Sequence, residues 1–93
     1  MKLITEVDEF IKKRAAFNFT RKVGLVITKG YIHQGHMALI NEMIKDCDLK
    51  IVSIFIDKNQ FNSETDYKLF PRNLERDIEV LNKLNIDLVF APS

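Results

Sequence analysis

Residues 22–36 read Lys22-Val23-Gly24-Leu25-Val26-Ile27-Thr28-Lys29-Gly30-Tyr31-Ile32-His33-Gln34-Gly35-His36, and this stretch decides the fold. Lys22–Thr28 is dominated by β-branched and aliphatic side chains, the composition of a strand. Gly30 opens a loop, and a helix is expected to begin near Gly35 or His36. From there Ile40, Met43, Ile44 and Cys47 follow the i, i+3, i+4, i+7 spacing of a helix with one buried face.

The same logic extends outward. Leu49–Ile56 is almost continuously apolar, as expected of a strand covered on both faces in a parallel sheet. Asp57–Phe70 reads as a polar loop, long for a compact domain and therefore a candidate for function. Pro71-Arg72-Asn73 introduces a helix with Leu74, Ile78, Leu81 and Leu84 facing inward, and Asp87–Phe90 forms the last strand. Upstream, Leu3–Ile4 is a short first strand. Thr5-Glu6-Val7-Asp8 has the pattern of a capping box, ahead of a helix with Val7, Phe10, Ile11 and Ala15 on one side. Asn18–Arg21 connects this helix to the central strand.

The order β-α-β-α-β-α-β predicts an α/β, Rossmann-like domain: a parallel sheet with right-handed crossovers and helices on both faces. The last strand is expected at an uncovered sheet edge, which would recruit a partner. Ligands on such sheets bind beyond the carboxyl ends of the strands. That rule selects Thr28–His36 and Asp57–Phe70.

Composition narrows the function classes. A chain of 93 residues makes one compact unit. Its 14 basic and 13 acidic residues leave a net charge of +1, which gives no electrostatic case for nucleic acid as the main partner. The single cysteine, Cys47, excludes an internal disulfide and suits a reducing cytoplasm; it reads as a small core residue. The longest apolar run, around Ile51–Ile56, is far too short to span a bilayer, and the N-terminus lacks the apolar stretch of a signal peptide.

The chemistry concentrates at His33-Gln34-Gly35-His36, between a strand and a helix. Free N–H groups and the positive end of the helix dipole make that position an anion site. Imidazole donors add hydrogen bonds that strengthen as charge builds on a phosphate, and Gly30 and Gly35 allow close backbone approach. The reading is a triphosphate pocket for nucleotidyl transfer. Set against it, histidines near a helix end commonly serve as caps or lie at the surface. A zinc site is disfavoured, because no cysteine or third histidine completes a ligand set.

Longer motifs then carry a resemblance. Ile27-Thr28-Lys29-Gly30-Tyr31-Ile32-His33-Gln34-Gly35-His36 resembles the Pro-Thr-Met-Gly-x-Leu-His-x-Gly-His signature of the pantothenate synthetases (pantoate–β-alanine ligases). Val52-Ser53-Ile54-Phe55-Ile56-Asp57-Lys58-Asn59-Gln60-Phe61 is similar to that family's Val-Ser-Ile-Phe-Val-Asn-Pro-x-Gln-Phe. Asp66, Phe70-Pro71-Arg72, Asp77 and the closing Asp87–Pro92 follow in family order. The resemblance implies a nucleotidyltransferase-type fold and an ATP-dependent ligation, with magnesium accompanying ATP. Pantoate carboxylate attacks the α-phosphate to give pantoyl adenylate, and the amine of β-alanine then displaces AMP to give pantothenate. It implies that His33 and His36 contact the ATP phosphates with His36 as proton donor, that Lys29, Gly30 and Gly35 belong to the ATP loop, and that Gln60 binds pantoate and then β-alanine. It also implies a homodimer. Phe61 and Phe70 read as packing residues, Arg72 and Asp77 as helix-start charges with a structural or interface role.

Four positions depart from the family pattern: its Pro, Met, Asn and Pro are here Ile27, Lys29, Asp57 and Lys58. Lys29 replaces an apolar side chain with a charge that would be costly if buried unpaired; a phosphate or Asp57 could pair with it. The phosphate end is thus expected intact and the pantoate end altered. The family's later lysine loop, Ser/Arg loop and C-terminal domain are not found, so residues 1–93 are expected to form one partial nucleotide-binding domain, inactive alone. The alternative is a non-catalytic, truncated or divergent paralogue that serves as a nucleotide-binding or dimerisation module. A different adenylyl- or cytidylyltransferase is disfavoured by the Gln60-Phe61 and Phe70-Pro71-Arg72 matches.

Overall fold

The computed structural model describes residues 1–16, 22–56, 58–69 and 73–92. Four parallel strands, β1 (Lys2–Ile4), β2 (Val23–Thr28), β3 (Leu49–Ile54) and β4 (Leu88–Phe90), form one sheet in the order β1-β4-β3-β2. Helix α1 (Val7–Ala15) joins β1 towards β2, α2 (Gln34–Asp46) joins β2 to β3, and α4 (Leu74–Asn82) precedes β4, with α3 (Glu64–Leu69) between β3 and α4. The α/β reading therefore holds. The expected connector Asn18–Arg21 lies outside the described residues.

Alternation along β2 explains the layering. Gly24, Val26 and Thr28 are buried while Leu25 and Ile27 are exposed, because successive side chains point to opposite faces. Val26, Val52 and Val89 meet Ile40 and Met43 of α2 and Leu81 of α4 in the larger core. On the opposite face Ile4, Ile51 and Leu88 form a smaller core with Phe10 of α1, whose ring stacks on Phe90 at 4.2 Å. Cys47 packs against the larger core, as a small apolar residue should.

Four expectations are corrected. The last strand is not an edge: β4 lies between β1 and β3, because the N-terminal strand returns to pair with it, Lys2 with Leu88 and Ile4 with Phe90. The edges are β1 and β2. The capping box at Thr5–Asp8 does not form; Glu6 is the cap residue and makes no side-chain cap bond. The apolar side of α1 is only partly used, since no residue of that helix is buried and Val7 and Ile11 stay exposed. Finally, the stretch 57–70 is not simply a loop. It contains a 3-10 turn, Lys58–Gln60, as well as α3. Ser63 starts α3 by accepting the Asp66 amide on Oγ at 3.0 Å, a Ser-x-x-Asp start that the sequence displays.

Gly24 is where helix α2 presses closest on the sheet. An added Cβ there would overlap Met43 Cγ and stand 2.6 Å from Cys47 Sγ. Gly24→Ala should therefore cost about 1–3 kcal/mol, the range for overpacking. Combining it with Met43→Ala should cost less than the sum of the two changes, measured by urea unfolding. Strict additivity would show that the close approach carries no strain.

Candidate phosphate site

The site begins with how β2 ends. Thr28 is buried; its hydroxyl donates to Ser53 O at 3.1 Å on β3 and accepts the Gly30 amide at 3.1 Å. The chain then turns through two left-handed residues, Gly30 at φ 89° and Tyr31 at φ 54°. Glycine takes that conformation freely, whereas a residue with a Cβ pays roughly 1–2 kcal/mol. Ile32 follows and is buried in the α2–α4 core, so the turn is anchored immediately after it.

Asp77 of α4 holds the turn from below. Its Oδ2 accepts the Tyr31 amide and its Oδ1 the Ile32 amide, both at 2.8 Å, with the side chain 1% exposed. The Arg76 guanidinium stands 3.3 Å from Oδ1 and lies over the Tyr31 ring, 5.0 Å from its centroid. Asn73 caps α4 through the Arg76 amide at 3.1 Å, which fixes where Asp77 falls on the helix. The sequence reading, a helix-start charge with a structural or interface role, anticipated a structural part for Asp77 but not its partners at Tyr31 and Ile32. The signal was present: Asp77 occupies an inward position of the Leu74–Leu81 stripe, where a carboxylate must find donors.

The histidines are linked reciprocally. His33 is the cap residue of α2, and its Nδ1 accepts the Gly35 amide at 3.0 Å; His36 Nδ1 accepts the His33 amide at 3.2 Å. The helix thus starts at Gln34, a residue or two before the expected Gly35 or His36. The ring centroids are 4.1 Å apart. The cap reading holds for both rings: each uses Nδ1 as acceptor, which leaves Nε2 as the position for the ring proton. A Cβ on Gly35 would lie 2.9 Å from His33 Cε1, so a larger residue there would displace the capping ring.

The carboxyl ends of the strands line a cleft of about 490 Å³. Lys29 and Gly30 after β2, Ile54 at the end of β3 with Phe55 and Ile56 after it, Ala91 and Pro92 after β4, and Thr5 after β1 form its walls, with Tyr67, Leu74 and Asp77 closing the helical side. Of the residues singled out from sequence, Lys29 and Gly30 wall this cleft. His33, Gly35 and His36 form a second group at the α2 start, joined to it through the Tyr31–Ile32 turn. Gln60 is exposed at the end of the 3-10 turn and is not a cleft wall. Lys29 Nζ is 5.9 Å from the centroid of Phe61, which packs edge-on against Tyr67 at 5.5 Å. Asp57, the other partner considered for Lys29, lies outside the described residues, as do Phe70-Pro71-Arg72.

Burial holds the His36 pKa below the ordinary 6.5, the His33 ring pushes the same way, and Asp77 opposes. A neutral His36 is therefore favoured in the folded state. Its contribution to stability is present above 6.5 and is lost as the pH falls from 6.5 through the lower folded value. Carbon-bound proton shifts should show His36 titrating below 6.5. The stability difference between the parent and the non-titrating His36→Gln should shrink over that pH range. A midpoint above 6.5 would contradict the Nδ1-acceptor geometry.

Known proteins resemble this chain over its whole length. The pantoate–β-alanine ligase family model matches residues 1–93. Pantothenate synthetases from Fervidobacterium nodosum and Chloroflexus aurantiacus are 39% and 43% identical over all of this chain, which covers 34% and 32% of their lengths. A crystal structure of pantoate–β-alanine ligase from Francisella tularensis, complexed with β-γ ATP and β-alanine, superposes with a TM-score of 0.96 at 36% identity, over the whole of this chain and 36% of that one. Pantothenate synthetase from Thermus thermophilus superposes at 0.87 with 38% identity, over the whole of this chain and 32% of its own. The chain thus spans about a third of the length of these relatives. With the whole of it matched in sequence and in fold, this chain belongs to the pantoate–β-alanine ligase family.

Proposed function

We propose that residues 1–93 supply the opening part of the nucleotide-binding domain of an ATP-dependent pantoate–β-alanine ligase in the cytoplasm. The observation that carries this reading is the reciprocal capping of His33 and His36, which commits both Nδ1 atoms to backbone amides and leaves Nε2–H as each ring's remaining donor. Imidazole N–H donors at a helix N-terminus suit ATP phosphates, since their hydrogen bonds strengthen as charge builds on the phosphate. His36 is the catalytic residue in this reading, acting as a hydrogen-bond donor to the charge that builds on the phosphate rather than giving up a proton. Gly30 and Gly35 let the backbone approach, and Lys29 adds a cation beside the phosphates. Gln60 hydrogen-bonds pantoate and then β-alanine. The solved relative that holds β-γ ATP and β-alanine supports ATP and β-alanine as substrates.

The reaction has two displacements. A pantoate carboxylate oxygen forms a bond to the α-phosphorus of ATP and pyrophosphate leaves. The β-alanine amine then attacks the acyl carbon, AMP leaves, and the amine loses its proton. Magnesium would enter with ATP on its phosphates; among the described residues no group of three His, Cys, Asp or Glu is placed to hold a metal. Among them, too, no helix is long and apolar enough to cross a membrane.

Calorimetry tests the site. Pyrophosphate and ATP should bind the chain weakly, and His36→Ala should weaken them by about 1.5–3 kcal/mol, the value of a hydrogen bond to a charged oxygen. Lys29→Met should raise pantoate affinity relative to ATP. A parent that binds neither nucleotide nor pyrophosphate at millimolar concentration, or a His36→Ala that binds like the parent, would sink the reading.

The homodimer is proposed as well. Leu25 and Ile27 on edge strand β2 are 53% and 74% exposed, and Val7 and Ile11 are open on α1, apolar surface of the kind that subunit contacts cover. Light scattering at micromolar concentration should give twice the chain mass; a monomer throughout that range would refute it.

A further inference from the structure

The turn between the strand and the histidines has the form of an anion-binding nest: consecutive amides, at Tyr31 and Ile32, converge on one carboxylate where Gly30 and Tyr31 turn through left-handed conformations. Such concavities bind phosphate or carboxylate. Here the protein fills its own nest with Asp77, at 2.8 Å to each amide. The fit is close. A Cβ on Gly30 would stand 3.3 Å from Asp77 Oδ2 and 3.2 Å from Ile54 Cγ2. A carboxylate beside a phosphate site would ordinarily repel the ligand, but this one is satisfied by two amides and the Arg76 guanidinium.

We propose that Asp77 is a positioning residue of the phosphate site: it occupies the Tyr31–Ile32 nest, closes it to ligand anions, and fixes the turn so that phosphate is received by the His33–His36 helix start instead. The proposal rests on the phosphate-site reading above. It also gives a functional role to a helix some 45 positions away in sequence. Helix α4 does not touch the phosphates; it sets the height and angle at which α2 begins. Ile32, buried directly after the nest, transmits that setting to the α2 core. Arg76 acts with Asp77, bonding Oδ1 and covering Tyr31.

Asp77→Asn tests this, because it keeps the shape and replaces one acceptor with a donor that faces an amide N–H. Amide exchange at Tyr31 and Ile32 should accelerate at least tenfold while β3 amides keep their protection. Pyrophosphate affinity should fall at least tenfold. The His36 midpoint should move further down, because the Asp77 charge raises it, a readout that loss of packing alone would not produce. Asp77→Glu should not rescue, since the longer side chain shifts the carboxylate off the positions 2.8 Å from both amides. Should Asp77→Asn fail to fold, Arg76→Gln keeps the test, as that side chain is 43% exposed; it should speed exchange of the same two amides and weaken pyrophosphate several-fold. Folded Asp77→Asn with parental pyrophosphate affinity overturns the proposal alone. A parent that binds no pyrophosphate sinks the phosphate-site reading and this proposal with it.

Discussion

Two hydrogen bonds from consecutive amides to one buried carboxylate hold the candidate site together. Without Asp77 the Tyr31 and Ile32 amides would lose their acceptors beside the core, at about 1–3 kcal/mol for each unsatisfied group. With it, the left-handed Tyr31, which costs roughly 1–2 kcal/mol, is offset, and burial of Ile32 adds about 1.5–3 kcal/mol in the same direction. The balance favours the turn by a margin that neither the carboxylate nor the apolar side chain supplies alone. The start of α2, and with it the Nδ1 bonds of its two histidines to backbone amides, follows directly from this turn.

The choice of histidine as the capping residue has a physical rationale. Serine or aspartate caps a helix at least as well. A serine cap, however, would commit its one oxygen inward and reach no further. An aspartate cap would place a negative charge where phosphate is expected. Imidazole separates the two duties between two nitrogens: Nδ1 satisfies the backbone, and Nε2–H remains a donor. Because Nδ1 must stay unprotonated to accept, the capping geometry and the lowered His36 pKa express the same preference for the neutral ring. In the proposed site a phosphate would be met by helix amides and imidazole N–H donors, with Lys29 as the nearby cation.

Much of this is legible in sequence, for identifiable reasons. The β-branched run of β2 and the apolar run of β3 declare strands locally, and the Ile40–Cys47 spacing declares a helix with one buried side. The position of the histidines after a strand puts them at the ligand-bearing end of the sheet. What fails to show is tertiary. Strand order depends on which strand β1 returns to, and no local pattern in Asp87–Phe90 says that it will be flanked on both sides. The apolar side of α1 matches a buried helix, yet most of it faces outward, since periodicity reports a capacity for burial and not a partner. The helix at Glu64–Leu69 is announced by Ser63-x-x-Asp66, but the polarity of the whole stretch outweighs that signal. Asp77 is the sharpest case. Helix-start preference is enough to account for a charge near the beginning of α4, and only its burial beneath the Tyr31–Ile32 turn turns that preference into a structural demand.

Lys29 shows how a position that looks unfavourable in sequence becomes tolerable in the fold. An ammonium in place of an apolar wall residue would be expensive if sealed from water. In the structure the side chain is exposed while lining the cleft, so most of that cost never arises. The Phe61 ring at 5.9 Å offers a weak attractive face, about 0.5–1 kcal/mol at an exposed position, and Phe61 is itself braced by Tyr67. The arrangement holds the cation near the cleft mouth. A contact this weak is easily exchanged for a ligand oxygen, since a charge-assisted bond to phosphate or carboxylate contributes more than the aromatic face it replaces. The cleft therefore differs in character along its length. Ile54, Phe55, Leu74 and Pro92 suit an apolar substrate body, and Lys29 suits an anionic group. The buried carboxylate on the helical side does not compete for that cation, because the protein's own amides and Arg76 already satisfy it.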